Sequence, residues 1–482
     1  MKKPRMTILT ASMIAFLSIS CQSRLHIQSL RFPEGSTEEE KISLAATVVP
    51  SEKQLRWQSL ELTAFLHFGM NTFTGNEWGD GTDSPELFMP TDLDCRQWVR
   101  TLKDAGFKMA ILTAKHHDGF CLWQTETTEY SVKNSLWKDG KGDVVRELSD
   151  ACREYGLEFG VYLSPWDRNA ECYGDSPAYN ALYVKQLTEL LTNYGKISEV
   201  WFDGANGEGP NGKKQVYDWE TILSTIRTLQ PDAVTAIMGE DVRWVGNEGG
   251  VGRETEWSVT ALTPESYKRS IVQNGRLEIT GMSKDLGSRE LIGKADEIFW
   301  YPSEVDVSIR PGWFYHAEQD SQVRSLENLA GIYYQSIGRN SVLLLNIPPD
   351  RRGRIHEIDS LRIKELKEYI DNTFRTDLLI GKHRKWKASS NESKEFTVSK
   401  DAIFNTLLIQ EDITKGQRVE AFTLEALCNG EWTQIAEGTT IGYKRLLKFP
   451  DTKADKIRLT ITSVRNRAII SEIGLYYAPD II

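Results

Sequence analysis

One arrangement of apolar and polar positions recurs three times between residues 94 and 209. In "DCRQWVRTLKDAG", Cys95, Trp98, Val99 and Leu102 fall on one helical face, and Gly106 ends the run. The apolar "FKMAILTA" and the polar "KHHDGF" follow. In "DVVRELSDACREYG", Asp143 is placed to cap a helix whose stripe is Val144, Val145, Leu148, Cys152 and Tyr155, with Gly156 as its stop. "LEFGVYLS" and "PWDRN" come next, and the third copy reads "LTELLTNYG", "KISEVWFD", "GANGEG". A helix, a glycine, a continuous apolar strand and a polar loop are the sequence signature of β/α units around a parallel sheet buried on both faces.

Further strands are predicted at "AFLHF", "AVTAIM", "ETEWSV" and "SVLLLNI", with "GWFY" as the eighth. The expected architecture is therefore a (β/α)8 TIM-like barrel, its catalytic domain covering residues 51–382. A doubly wound open sheet is the competing layout, and it is weakened because no G-x-G-x-x-G follows the first strand. Beyond "ELKEYIDNTFRTDL" the texture changes to short alternating runs such as "KEFTVS", "FNTLLIQE" and "KIRLTIT", so residues 383–482 are expected to form a C-terminal antiparallel β-sandwich.

The amino terminus reads differently. A basic "MKKPR", a short apolar run and then Cys21 form an export signal, residues 1–21, of the bacterial lipoprotein kind. Cys21 would carry the lipid, residues 22–50 would be a tether, and the mature protein would reside in the periplasm or at the outer membrane surface. The remaining cysteines, Cys95, Cys121, Cys152, Cys172 and Cys428, show neither zinc spacing nor a disulfide framework. With 58 basic against 68 acidic residues, the net charge of −10 provides no basic stripe for a nucleic acid.

In a barrel the chemistry gathers at the carboxyl ends of the strands. Those ends hold His67, the pair His116 and His117, the run from Tyr162 to Trp166, Asp203, and the acids of "RWVGNEGGVGRETEW". Asp203 closes the apolar Val200-Trp201-Phe202 and is followed only by small residues. It is either a turn residue reaching water or an acid held in a site. Adjacent His116 and His117 would point apart in extended chain, so hydrogen bonding to hydroxyls suits them better than metal ligation. Trp78, Trp123, Trp166, Trp201 and Trp313 lie near the polar loops, and flat apolar rings beside His and Asp are the materials of a sugar site.

The motifs "FLHFGMNTF", "EWGDG", "AKHHDGFCLW", "VYLSPWDRN", "EVWFDGANG", "RWVGNEGG" and "IRPGWFYH" together resemble the α-L-fucosidases of glycoside hydrolase family 29, nearest the branch acting on α-1,3/1,4-linked fucose. The resemblance spans the barrel. It implies a cofactor-free, exo-acting, retaining hydrolase with Asp203 as nucleophile and Glu248 as acid/base, Glu254 and Glu256 being the alternatives. It further implies that His67, His116, His117 and Tyr162 hold the sugar hydroxyls, that Glu77 and Trp78 close over the ring, and that Trp201 and Trp313 line its methyl side. Its partner would be a fucosylated oligosaccharide or glycoconjugate. The glycines around Glu248 are expected to allow that loop to move. A non-catalytic sugar-binding surface protein and a glycosidase for a related sugar such as α-L-galactose are the competing readings.

Overall fold

The computed structural model of the protein describes residues 28–381 and 384–481. The export signal, Cys21 and the expected domain boundary at 382/383 lie outside those residues. Eight strands form the barrel: β1 (Leu62–Leu66), β2 (Met109–Lys115), β3 (Glu158–Leu163), β4 (Glu199–Phe202), β5 (Val234–Ile237), β6 (Arg243–Trp244), β7 (Ser303–Ser308) and β8 (Val342–Asn346). They follow one another in the order β5-β4-β3-β2-β1-β8-β7-β6, all in parallel pairings. A bridge between Ala236 and Val242 closes the ring.

The recurring units fold as their patterns require. Helix α1 (Cys95–Asp104) is capped by Asp94, whose carboxylate accepts from the Gln97 amide at 2.9 Å. Helix α2 (Val144–Tyr155) is capped by Asp143 and stopped by Gly156 at φ 73°. Each such cap is worth about 1 kcal/mol. The buried stripes of both helices join the main core, together with the outward-facing Ala110, Leu112, Val161 and Val200 of the strands. Inward-facing Phe65, Ile111, Tyr162, Trp201 and Leu344 make a second cluster inside the barrel.

Two predicted strands are corrected. Of "ETEWSV" only its last residue, Val259, is in a strand, and that strand, Val259–Thr260, belongs to a small antiparallel sheet outside the barrel with Glu297–Trp300 and Ser29–Arg31. "GWFY" is a loop whose backbone groups go to side chains: the Trp313 amide donates to Glu77 at 2.8 Å and its carbonyl accepts from Asn346 at 2.7 Å. The two places in the ring are taken by β6 and β7. No helix separates β5 from β6. The chain reverses after Ile237 (φ 66°), and Asp241 pins the reversal by accepting from the amide and hydroxyl of Thr235 at 2.9 and 3.0 Å. Gly239 is needed there, since a Cβ would fall 2.3 Å from the Thr235 carbonyl carbon.

Residues 28–50, expected as a tether, are folded over the barrel. Helix Glu38–Ala45 begins with a Thr37/Glu40 capping box and packs on helix Arg289–Lys294. Beyond the barrel, one five-stranded and one four-stranded antiparallel sheet enclose Phe404, Leu407, Phe422, Leu459 and Ile470. The first sandwich strand, Leu379–Ile380, lies just ahead of the expected start. Among the described residues no helix is long and apolar enough to cross a membrane.

Candidate active site

Strand ends β1 to β4, β7 and β8 converge on Asp203. Its Oδ1 accepts from the Ala205 amide at 2.7 Å, which fixes the carboxylate at the strand end. Its Oδ2 accepts from the Tyr162 hydroxyl at 3.2 Å and faces His117 Nε2 at 3.7 Å. The side chain stays 28% exposed, so the acid is reachable from the pocket.

The three histidines are held in two tautomers by their neighbours. Asn346 donates its Nδ2 to Ser308 Oγ and the Trp313 carbonyl, so its Oδ1 accepts from His67 Nδ1 at 2.9 Å. That leaves His67 Nε2 as an acceptor. His117 Nδ1 lies 2.7 Å from Ser164 Oγ, whose own hydrogen goes to the Trp166 carbonyl, so His117 too presents Nε2 as an acceptor. Asn71 donates toward His116 Nδ1, which leaves His116 Nε2 as a donor. Burial pulls His67 down to about 3 and His116 well below the usual imidazole range. A neutral set mixing donors and acceptors matches hydroxyl groups, each of which can give and take one hydrogen bond.

Aromatic rings form the walls. Trp201 stacks on Tyr162 with centroids 5.2 Å apart, and Trp313 lies 5.0 Å from His67. Trp78, 56% exposed, stands edge-on to His117 and Trp166. Glu77 has its carboxylate engaged by the Trp313 amide at 2.8 Å and His316 Nε2 at 2.7 Å, so it clamps the Trp313 loop. Trp123 is core, with its indole on Glu189, and takes no part in the site.

A cavity of about 460 Å³ opens beside Asp203 and Trp201 and extends past Glu248 to Trp244, Leu262 and Met282. Glu248 is exposed at its edge. Partial burial raises its carboxyl pKa; a hydrogen bond with the Trp313 side chain lowers it, and the charge of Asp203 raises it. Neither alternative acid shares this cavity. Glu254 is paired with Arg445 and, at 2.7 Å, with Arg339. Glu256 is buried against Arg243 and Arg253. The loop carrying Glu248 is also tightly packed: Gly246 (φ 100°) lies against Gly281 and Met282, and Gly250 (φ 79°) against Ile332. Its glycines serve turns and close approach.

Asp306 in the pocket wall, and Glu199 and Glu304 beneath it, are buried acids that do not follow the ends of apolar strands. Asp306, buried, is pushed up to about 7 chiefly by burial, and it accepts from the Trp244 indole at 2.8 Å. Glu304 accepts from the Trp201 indole at 2.8 Å and Glu199 from that of Trp57 at 2.7 Å. Each keeps its other oxygen, Oε1, buried without a hydrogen-bond partner, and burial raises the pKa of both, which favours a proton held on the pair.

Comparison with known proteins gives the family. The family model described as alpha-L-fucosidase matches residues 44–373. The chain belongs to the α-L-fucosidase family. It is 42% identical to alpha-L-fucosidase 1 of Arabidopsis thaliana over 460 residues, covering 89% of this chain and 87% of the plant protein. Among solved structures, a Bacteroides ovatus protein assigned as an α-L-fucosidase is 60% identical with a TM-score of 0.93, covering 95% of this chain and 79% of that one. A Ruminococcus gnavus fucosidase of glycoside hydrolase family 29, solved in complex with fucose, is 33% identical with a TM-score of 0.78, covering 90% and 96%. This fucosidase therefore has a barrel and sandwich of the family kind, and it is a glycoside hydrolase.

Proposed function

We propose that the enzyme is an exo-acting, retaining α-L-fucosidase in which Asp203 is the nucleophile and Glu248 the acid/base. The observation that carries this reading is that Asp203 and Glu248 line one cavity, with the charge of the first favouring a proton on the second. In the first step an Asp203 oxygen bonds to the anomeric carbon as the glycosidic C–O bond breaks, and Glu248 gives its proton to the departing oxygen. In the second, Glu248 takes a proton from water, the water oxygen bonds to the anomeric carbon, and Asp203 leaves with its electron pair. His67, His116, His117 and Tyr162 would hold the hydroxyls, with Trp201 and Trp313 beside the ring. Trapping the fucosyl–Asp203 adduct with a 2-fluoro-fucosyl donor, read by mass spectrometry of the peptide, tests the mechanism. A label on another residue, or none with inactivation intact, overturns it.

The substrate proposed is α-1,3/1,4-linked fucose on a branched glycan of the Lewis type. The cavity running past Glu248 to Trp244, Leu262 and Met282 supports this, because it leaves room for more than one sugar beyond the cleaved bond. The kcat/KM for a Lewis trisaccharide should exceed those for 2′-fucosyllactose and for a simple aryl fucoside. Equal values would reject the branch preference. The enzyme is further proposed to be exported and lipid-anchored at Cys21. Labelled palmitate incorporated by the wild type and absent from Cys21→Ala would support this, and equal labelling would refute it.

A further inference from the structure

The segment after Glu248 does not end on the barrel. From Glu254 to Ser258 it is bound by the sandwich at nearly every residue. The Glu254 carbonyl accepts from Arg445 Nη1 at 2.7 Å and from the Thr439 hydroxyl at 2.9 Å, while its carboxylate pairs with Arg445 and Arg339. The Glu256 amide donates to Thr440 Oγ1 at 3.0 Å, and its carbonyl accepts from Gln417 Nε2 at 2.9 Å. The Ser258 amide donates to Gln417 Oε1 at 2.7 Å. The guanidinium of Arg465 lies 3.4 Å from the centroid of the Trp257 ring.

These contacts are of a kind that fixes backbone. Five involve main-chain groups of the segment, so they set its position whatever its side chains do. Arg445 is only 1% exposed, and a guanidinium that buried has to keep a carboxylate partner. Its partner Glu254 lies six residues beyond Glu248 in the chain. Between them, the Gly252 amide donates to the Gln335 carbonyl at 2.7 Å, and its carbonyl accepts from Arg339 Nη1 at 3.0 Å. Arg339 thus holds the segment at both Gly252 and Glu254, and Arg445 holds it from the sandwich.

We propose that the C-terminal sandwich is the platform that positions Glu248, with Arg445 as its principal positioning residue. This deepens the reading above and rests on Glu248 being the acid/base. A proton donor must stand within hydrogen-bonding distance of the departing oxygen, and a displacement of about 1 Å can cost up to a hundredfold in rate. The sandwich supplies that constraint from outside the barrel.

The experiment compares leaving groups. Arg445→Met and the milder Glu254→Gln are assayed as full-length protein, with thermal unfolding showing that each is folded. The readout is kcat/KM on an aryl fucoside with a strongly activated leaving group, which departs without protonation, and on an oligosaccharide, which needs it. The variants should keep the aryl value within about twofold and lose about tenfold to a hundredfold on the oligosaccharide. Arg445→Lys should recover part of the loss. Glu248→Ala is run beside them. If it shows no such split, the role assigned to Glu248 fails. If it shows the split while Glu254→Gln and any folded Arg445 variant do not, the platform proposal alone is overturned. If Arg445→Met unfolds, Glu254→Gln and Arg445→Lys decide the matter on the same readout.

Discussion

The Tyr162 hydroxyl donates to Asp203 Oδ2 across 3.2 Å, on the oxygen that also faces His117. As the proposed nucleophile, Asp203 would thus be held on both carboxylate oxygens, by Tyr162 on one and by the Ala205 amide on the other. A hydrogen bond to a charged group is worth about 1.5–3 kcal/mol, so Tyr162→Phe should lower kcat/KM about tenfold to a hundredfold. Asp203→Ala should lower it by roughly a thousandfold or more while the protein remains folded. Steady-state kinetics with circular dichroism on both variants checks this, and wild-type rates in Asp203→Ala would exclude it as nucleophile.

In the proposed role as acid/base, Glu248 would have to be protonated to act on the departing oxygen, and its pKa is raised mainly by partial burial. For a required acid the sign is clear: kcat/KM on an oligosaccharide falls as pH rises through that pKa. Glu248→Gln should be much slower and should lack this basic limb. A limb that persists unchanged in Glu248→Gln would assign it to another group.

His67 titrates only near pH 3, and His116 lies well below its usual range. Their imidazole NMR signals should therefore stay constant from pH 5 to 8. Among the described residues no group of three or more His, Cys, Asp or Glu is arranged to hold a metal ion. Incubation with EDTA should accordingly leave kcat/KM unchanged, and loss of activity restored by zinc would contradict the hydroxyl-binding role proposed for the histidines.

How much of this could be read in advance depended on which face of a strand carried the signal. Strands with continuous apolar runs, such as Met109–Lys115, and their polar ends at His116, His117 and Asp203 stood out, because burial on both faces leaves little choice of residue. The two-residue strand β6 has no such run. Strand β7, "SEVDVS", reads as a solvent-facing alternation, yet Glu304 and Asp306 point into the barrel while Val305 and Val307 meet the outer core. Acids alternating with valine in a chain otherwise rich in barrel patterns were the available signal. "ETEWSV" had strand composition, but the hydrogen bonds from the sandwich at Glu254 and Glu256 engage its backbone instead.

The Glu199–Glu304 pair gives a pH-dependent stability. Both folded pKa values are raised above the unfolded carboxylic range of about 4.3. The native state thus keeps a proton that the unfolded chain releases, and the stabilisation present below about pH 4 is lost as pH rises through the folded values. In Glu304→Gln the amide can still accept from Trp201 and donate to Glu199. Its Tm should therefore fall less between pH 5 and 8 than that of the wild type, as calorimetry would show. An identical pH slope would mean that the pair holds no extra proton.

The same pair also gives the enzyme an internal label. Of its 14 tryptophans, Trp57 and Trp201 donate their indole hydrogens to opposite ends of one proton-sharing unit, and Trp201 forms part of the cavity wall beside Asp203. A sugar seated against Trp201 would change the field at Glu304, and a proton shared by the pair would carry that change through Glu199 to Trp57 on the far side. Two indole resonances would then move together on sugar binding, so that occupancy could be followed in solution without a chromogenic group on the substrate.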